Sequence, residues 1–211
     1  MTKLFLSSIT LLICLSACQQ DTQNAQNDSS ETEISEEPPP EANRLSEDQQ
    51  IYYETQGDEI VTRSAQALGQ KLMEALSDGG VSNALAFCNE NALTITDSLS
   101  ENMGVAITRT SLNYRNIANQ PHQLEEEMLT KFSTQHKAGK SIKPITAVTP
   151  DGEVLYASPI LVNMLCLKCH GNVGTDIKEE NYQLVKNLYP YDKAIDYKAG
   201  DFRGMWVVRF R

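Results

Sequence analysis

Positive charge is in short supply in this chain. It carries 18 Lys and Arg against 28 Asp and Glu, a formal net charge of -10. No basic stripe or patch stands out, which removes nucleic acid from the expected partners. Histidine is scarcer still, with three in 211 residues: His122, His136 and His170. Any chemistry that needs an imidazole is confined to those positions. Long apolar runs are missing too. The longest candidate, Leu4 to Leu15, is too short for a comfortable membrane span. Internal repeats are absent, so a solenoid or propeller is not expected.

The acidity is uneven. Residues 19–50 hold nine Asp and Glu against Arg44 alone, whereas residues 51–211 hold nineteen against sixteen Lys and Arg. The acidic stretch has almost nothing apolar to bury and contains Pro38-Pro39-Pro40. Burial cannot offset the entropy of ordering it, so an extended tether is expected. Ahead of it, Lys3, the apolar run and Leu15-Ser16-Ala17-Cys18 read as an export signal. That ending resembles the bacterial lipobox, which implies cleavage before Cys18 and lipidation of Cys18. The alternative is an ordinary secretory signal. Two or more acyl chains on one cysteine suffice for stable attachment. Gln19 in the next position implies, by likeness to envelope lipoproteins, an outer rather than inner membrane and a periplasmic location. The expected organisation is a signal peptide at 1–17, a lipidated linker at 18–44 and a folded domain at 45–211.

What the chain does have is Cys166-Leu167-Lys168-Cys169-His170. Two cysteines two residues apart with histidine next is the pattern for covalent haem attachment. Each thiol adds across a vinyl group, and the imidazole is carried under the iron. One haem c per chain is expected, held by Cys166, Cys169 and His170. Two plainer readings compete: a Cys166–Cys169 disulfide, and part of a zinc site. Cys88 is then left over in an oxidising compartment, where a lone thiol must be buried or occupied.

Periodicity outlines the domain. Ser46 with Gln49 fits a helix-opening capping box. Val61, Ala65, Leu68, Leu72 and Leu76 repeat at helical spacing until Gly79-Gly80 stops them. A second helix follows, with Val81, Leu85, Cys88, Ala92, Ile95 and Leu99 on its apolar face. On periodicity alone Cys88 reads as a small core residue. Val105 to Leu112 has the β-branched content of a strand. A loop at Asn116 to Pro121 precedes a short helix marked by Leu124, Met128, Leu129 and Phe132. Ile145 to Val148, Pro150-Asp151-Gly152 and Val154 to Ala157 read as a hairpin. The haem motif follows Pro159 on a short helix or loop, and Met205 to Phe210 reads as a closing strand. Helices first and antiparallel strands after them indicate an α+β domain.

Several stretches then resemble one family together: Arg109-Thr110-Ser111-Leu112 with Arg115-Asn116 and Asn119, Cys166 to Gly171, and Tyr189-Pro190 with Gly200-Asp201-Phe202-Arg203-Gly204. They are similar to the Tll0287-like haem domains, formerly a domain of unknown function, over roughly Asp58 to Arg211. The resemblance implies a PAS-like antiparallel sheet with a covalent c-type haem, found alone in the periplasm or fused to signalling modules. It implies His170 as one axial ligand and Cys88 as the other. Where the family usually has a proline after Arg115-Asn116, this chain has Ile117.

The competing ligands are few. His122 and His136 sit in polar surroundings, and Met103, Met164 and Met205 each offer a thioether. Thiolate ligation stabilises ferric iron and lowers the reduction potential. Arg109 and Arg115 offer donor forks for haem propionates, with exposed structural arginines as the plainer reading. The expected function is a membrane-tethered redox or small-ligand sensor, with a diatomic gas as the candidate ligand, or a low-potential one-electron carrier. Either needs a separate redox or signalling partner protein, since this chain has no output module. A haem-dependent enzyme of peroxidase or reductase type is the alternative. A zinc module using Cys88, Cys166, Cys169 and His170 is the weaker one.

Overall fold

The computed structural model describes residues 44–210. The export signal, Cys18 and nearly all of the linker lie outside them. The first described element is a long helix, α1 (Glu47–Met103). It opens on the expected box: Gln49 N donates to Ser46 Oγ at 3.2 Å, and Ser46 N donates to Gln49 Oε1 at 3.0 Å. At its other end Gly104 adopts the left-handed conformation, φ 69°, which glycine, lacking a Cβ, takes without the strain another residue would carry.

The break expected at Gly79-Gly80 is present as a kink inside α1. Gly79 has φ -157° and ψ 21°, and Gly80 has φ 69° and ψ -158°. The Gly80 combination is open to glycine almost alone. Asn83 Nδ2 reaches back across the kink to the Ala75 carbonyl at 2.8 Å, recovering a bond that the broken ladder lost.

After α1 come β1 (Val105–Thr110), a 3-10 turn (Ile117–Asn119), α2 (Gln123–Lys137), β2 (Ile145–Val148) and β3 (Val154–Leu161). Then follow α3 (Leu167–His170), α4 (Glu179–Leu188) and β4 (Phe202–Phe210). The strands form one antiparallel sheet in the order β1-β4-β3-β2. The expected hairpin is there, Val148 pairing with Val154 and Ile145 with Ala157. Two boundaries differ from expectation. β1 stops at Thr110, because Ser111 turns its hydroxyl onto the Arg203 carbonyl at 2.6 Å. β3 continues through Pro159 to Leu161. That is tolerated because β2 pairs only as far as Ala157, so Pro159 lies where β3 has become an edge.

The sheet is packed on both faces, and the period of two assigns its residues. Leu155, Ala157, Met205 and Val207 meet Met128, Leu129 and Phe132 of α2. Tyr156, Trp206, Val208, Val105 and Ile107 face the other way, toward Val61 of α1. Leu129 and Phe132 have no exposed surface, and each such side chain contributes about 1.5–3 kcal/mol by burial. The layering is helix, sheet, helix: a mixed α+β domain, as expected. α4 was not foreseen. It packs through Val185 and Tyr189 onto Leu85 in the second arm of α1. Among the described residues no helix is long and apolar enough to cross a membrane.

Candidate functional site

The site is built on one helical turn. Asn163 Oδ1 accepts from Leu165 N at 2.9 Å and Cys166 N at 3.1 Å, closing a local turn that starts α3. His170 N then bonds the Cys166 carbonyl at 2.9 Å. Helical spacing of three and four puts Cys166, Cys169 and His170 on one side of that turn. Glycine is required next. A Cβ on Gly171 would stand 2.5 Å from Cβ of Asp176, whose Oδ2 holds Asn172 N at 2.9 Å.

Cys166, Cys169 and His170 line a cavity of about 390 Å³, within the range of cofactor sites. Both arms of α1 contribute to its wall, Leu68, Leu72 and Leu76 before the kink and Leu85, Cys88 and Ala92 after it. The kink is what lets one helix line the cavity twice. Cys88 thus shares the cavity with His170 although 81 intervening positions separate the two in this numbering. It is half-buried, and burial pushes its thiol up, opposed by the Arg109 and Arg115 charges. Burial also raises the Cys169 thiol.

His170 is held in one tautomer. Its Nδ1 lies 2.7 Å from the Ala194 carbonyl oxygen. A carbonyl can only accept, so Nδ1 carries the proton and Nε2 keeps its lone pair. Burial, followed by the charges of Arg115 and Arg203, drives its pKa well below the ordinary range. The imidazole is neutral, with one nitrogen free to bind.

The arginines divide. Arg115 is committed to protein: Nε to Asp192 Oδ1 at 3.2 Å, Nη2 to the Cys169 carbonyl at 2.8 Å and to the Ala194 carbonyl at 2.9 Å. Arg109 continues the Val105, Ile107 side of β1, opposite Trp206 in register. Its guanidinium lies 5.3 Å from the Trp206 ring centroid, a cation–π contact. It lines the cavity, and no hydrogen-bond or ion-pair partner is found for it among the described residues. Arg203, also on the wall, donates to Ser111 Oγ and the Asn113 carbonyl, both at 2.9 Å.

None of the competing ligands lines the cavity. His122 is exposed at the start of α2, and His136 lies in its last turn. Met205 is fully buried against α2, Met103 packs beside the α1 face of the sheet, and Met164 is 72% exposed. The three described cysteines, Cys88, Cys166 and Cys169, are unpaired in this structure. Among the described residues no three or more His, Cys, Asp or Glu converge closely enough to hold a metal ion. Ile117 starts a 3-10 turn capped by Asn116 Oδ1, which accepts from Ala118 N at 3.0 Å. Asp192, Ala194 and Arg203 were missed as site residues. Only Arg203, within Gly200 to Gly204, lay in a stretch already singled out.

Fold and site together define a mixed helix-and-sheet domain whose CxxCH turn closes an apolar, arginine-edged cavity. The chain belongs to the Tll0287-like family, whose model matches residues 17–211, an earlier start than Asp58. In fold it is similar to the crystal structure of the cyanobacterial haem protein Tll0287. The TM-score is 0.52 and the identity 23%, covering 74% of this chain and 94% of that one. No curated protein matches.

Proposed function

We propose that this protein carries one covalent haem c and serves as an extracytoplasmic redox or small-ligand sensor, or as a low-potential one-electron carrier. The observation that carries the reading is the His170 tautomer: Nδ1 is tied to the Ala194 carbonyl, leaving Nε2 to a cavity that Cys88 shares. A metal-binding histidine is commonly oriented by such a bond on its other nitrogen. Cys166 and Cys169 would be the attachment thiols, and Arg109, with no hydrogen-bond or ion-pair partner among the described residues, suits a propionate. Bound there, the haem supplies a one-electron couple and an iron that takes small ligands. The chain's own residues fix the imidazole through the Ala194 carbonyl and place leucines and the Cys88 thiol on the same cavity wall. A thiolate in this half-buried wall needs a cation, and Cys88 takes up a proton wherever that cation's pull weakens. The second class, a peroxidase-like enzyme, draws less support, because among the described residues His170 is the only histidine on the wall.

The tether belongs to the same proposal. Lipidated Cys18 and an acidic linker would hold the domain on the periplasmic face of an outer membrane, within reach of a partner protein. The test of the cofactor is acid–acetone extraction of the mature protein with an absorption spectrum. Colour should stay with the polypeptide, and Cys166→Ala or Cys169→Ala should sharply reduce it. Haem released into the solvent from fully matured protein would sink the covalent reading.

A further inference from the structure

The Ala194 carbonyl receives two donors. His170 Nδ1 reaches it at 2.7 Å and Arg115 Nη2 at 2.9 Å, one for each lone pair. Asp192 closes the ring, its Oδ1 accepting from Ala194 N at 2.8 Å and from Arg115 Nε at 3.2 Å. The Arg115 and Asp192 side chains are only 10% and 7% exposed, so solvent screens them little. A second strand of the network runs from Arg115 Nη2 to the Cys169 carbonyl, one residue before His170.

We infer that Arg115 and Asp192 are positioning residues that set how strongly His170 donates, acting through the shared Ala194 carbonyl. This rests on His170 being an axial ligand. A cationic donor on that oxygen drains electron density from it, so it accepts less from the imidazole N–H. The imidazole therefore has less imidazolate character than a lone carbonyl would give it, and binds as a weaker donor. Asp192 balances the charge and holds the peptide in place. The pair thus holds the reduction potential above what the same ligands would give without it.

The experiment is redox titration of the haem-loaded protein, with the iron–histidine vibration of the ferrous form read by resonance Raman. Arg115→Gln should lower the potential, because Asp192 is left negative and the carbonyl is freed. Asp192→Asn should raise it, because Arg115 is left positive. Either variant strands a buried charge and can fail to fold, so the neutral double variant Arg115→Gln, Asp192→Asn decides. Glutamine is too short to restore the second bond, so the vibration should rise and the potential fall below wild type. Wild-type potential and vibration in the folded double variant overturn the inference, because a merely structural pair would change stability alone. His170→Ala separates the two claims. An absorption spectrum unchanged by it removes the ligand reading itself. A changed spectrum with unmoved Arg115 and Asp192 variants removes only the tuning.

Discussion

Cys88 is one atom away from being an ordinary wall residue, and that atom is what a substitution can address. Cys88→Ser should keep the covalent haem, alter the ferric absorption spectrum and raise the reduction potential, because a hydroxyl is a poorer anion than a thiol. Spectroelectrochemistry checks this, and an unmoved spectrum and potential would leave Cys88 as packing alone. Gly171 offers a stability test nearby. Its missing Cβ would sit 2.5 Å from Asp176 Cβ, so Gly171→Ala should cost about 1–3 kcal/mol by overpacking, read from urea midpoints. Residues with local partners were legible: the 166, 169, 170 spacing is the shape of one helical turn. Cys88 was found as the thiol left over, and the resemblance then gave it a role. Asp192 stands 77 positions from Arg115, and Ala194 stands 24 from His170. Nothing in composition or periodicity ties such pairs together. Ala194 in particular acts through a backbone oxygen that every residue possesses.

At the scale of elements the kink in α1 is the decisive feature. Gly80 has φ 69° and ψ -158°, so Gly80→Ala should cost about 1–3 kcal/mol of strain. It should also lower haem occupancy, since the two arms must bend to share a wall; absorbance per chain measures this. Two tyrosines report on packing through pH. Tyr156, in β3, and Tyr189, just after α4, are each pushed up from 10 to about 12, chiefly by burial. Above the ordinary value the unfolded chain sheds these protons while the folded one keeps them. Their contribution is therefore whole below pH 10 and is lost as pH rises toward 12. Tyr156→Phe should flatten the fall in urea midpoint across that window, and an unchanged slope would count against the assignment. The break was readable because paired glycines stop any helix. α4 escaped because its apolar positions are few and only Val185 is fully covered, so most of its surface reads as polar chain.

For the whole molecule, anchoring is the property to test. Full-length protein from a bacterial host should enter a detergent phase, and Cys18→Ala should keep it in the aqueous one; intact mass shows whether Cys18 carries acyl groups. Strand positions were legible from β-branched runs, but the order β1-β4-β3-β2 was not. It depends on pairs such as Val105 with Phe210, and no local pattern specifies such a distant partner. That order sets a timetable. β4 follows every other described element in the chain, yet it lies between β1 and β3. A polypeptide threaded outward from its amino end exposes the CxxCH turn before the strand that completes the sheet has arrived. Until Phe202 to Phe210 emerge, Trp206 cannot lie under Arg109, nor Arg203 reach Ser111. On the proposed export and covalent attachment, both thiols would come out ahead of β4, before the sheet beside the cavity is complete.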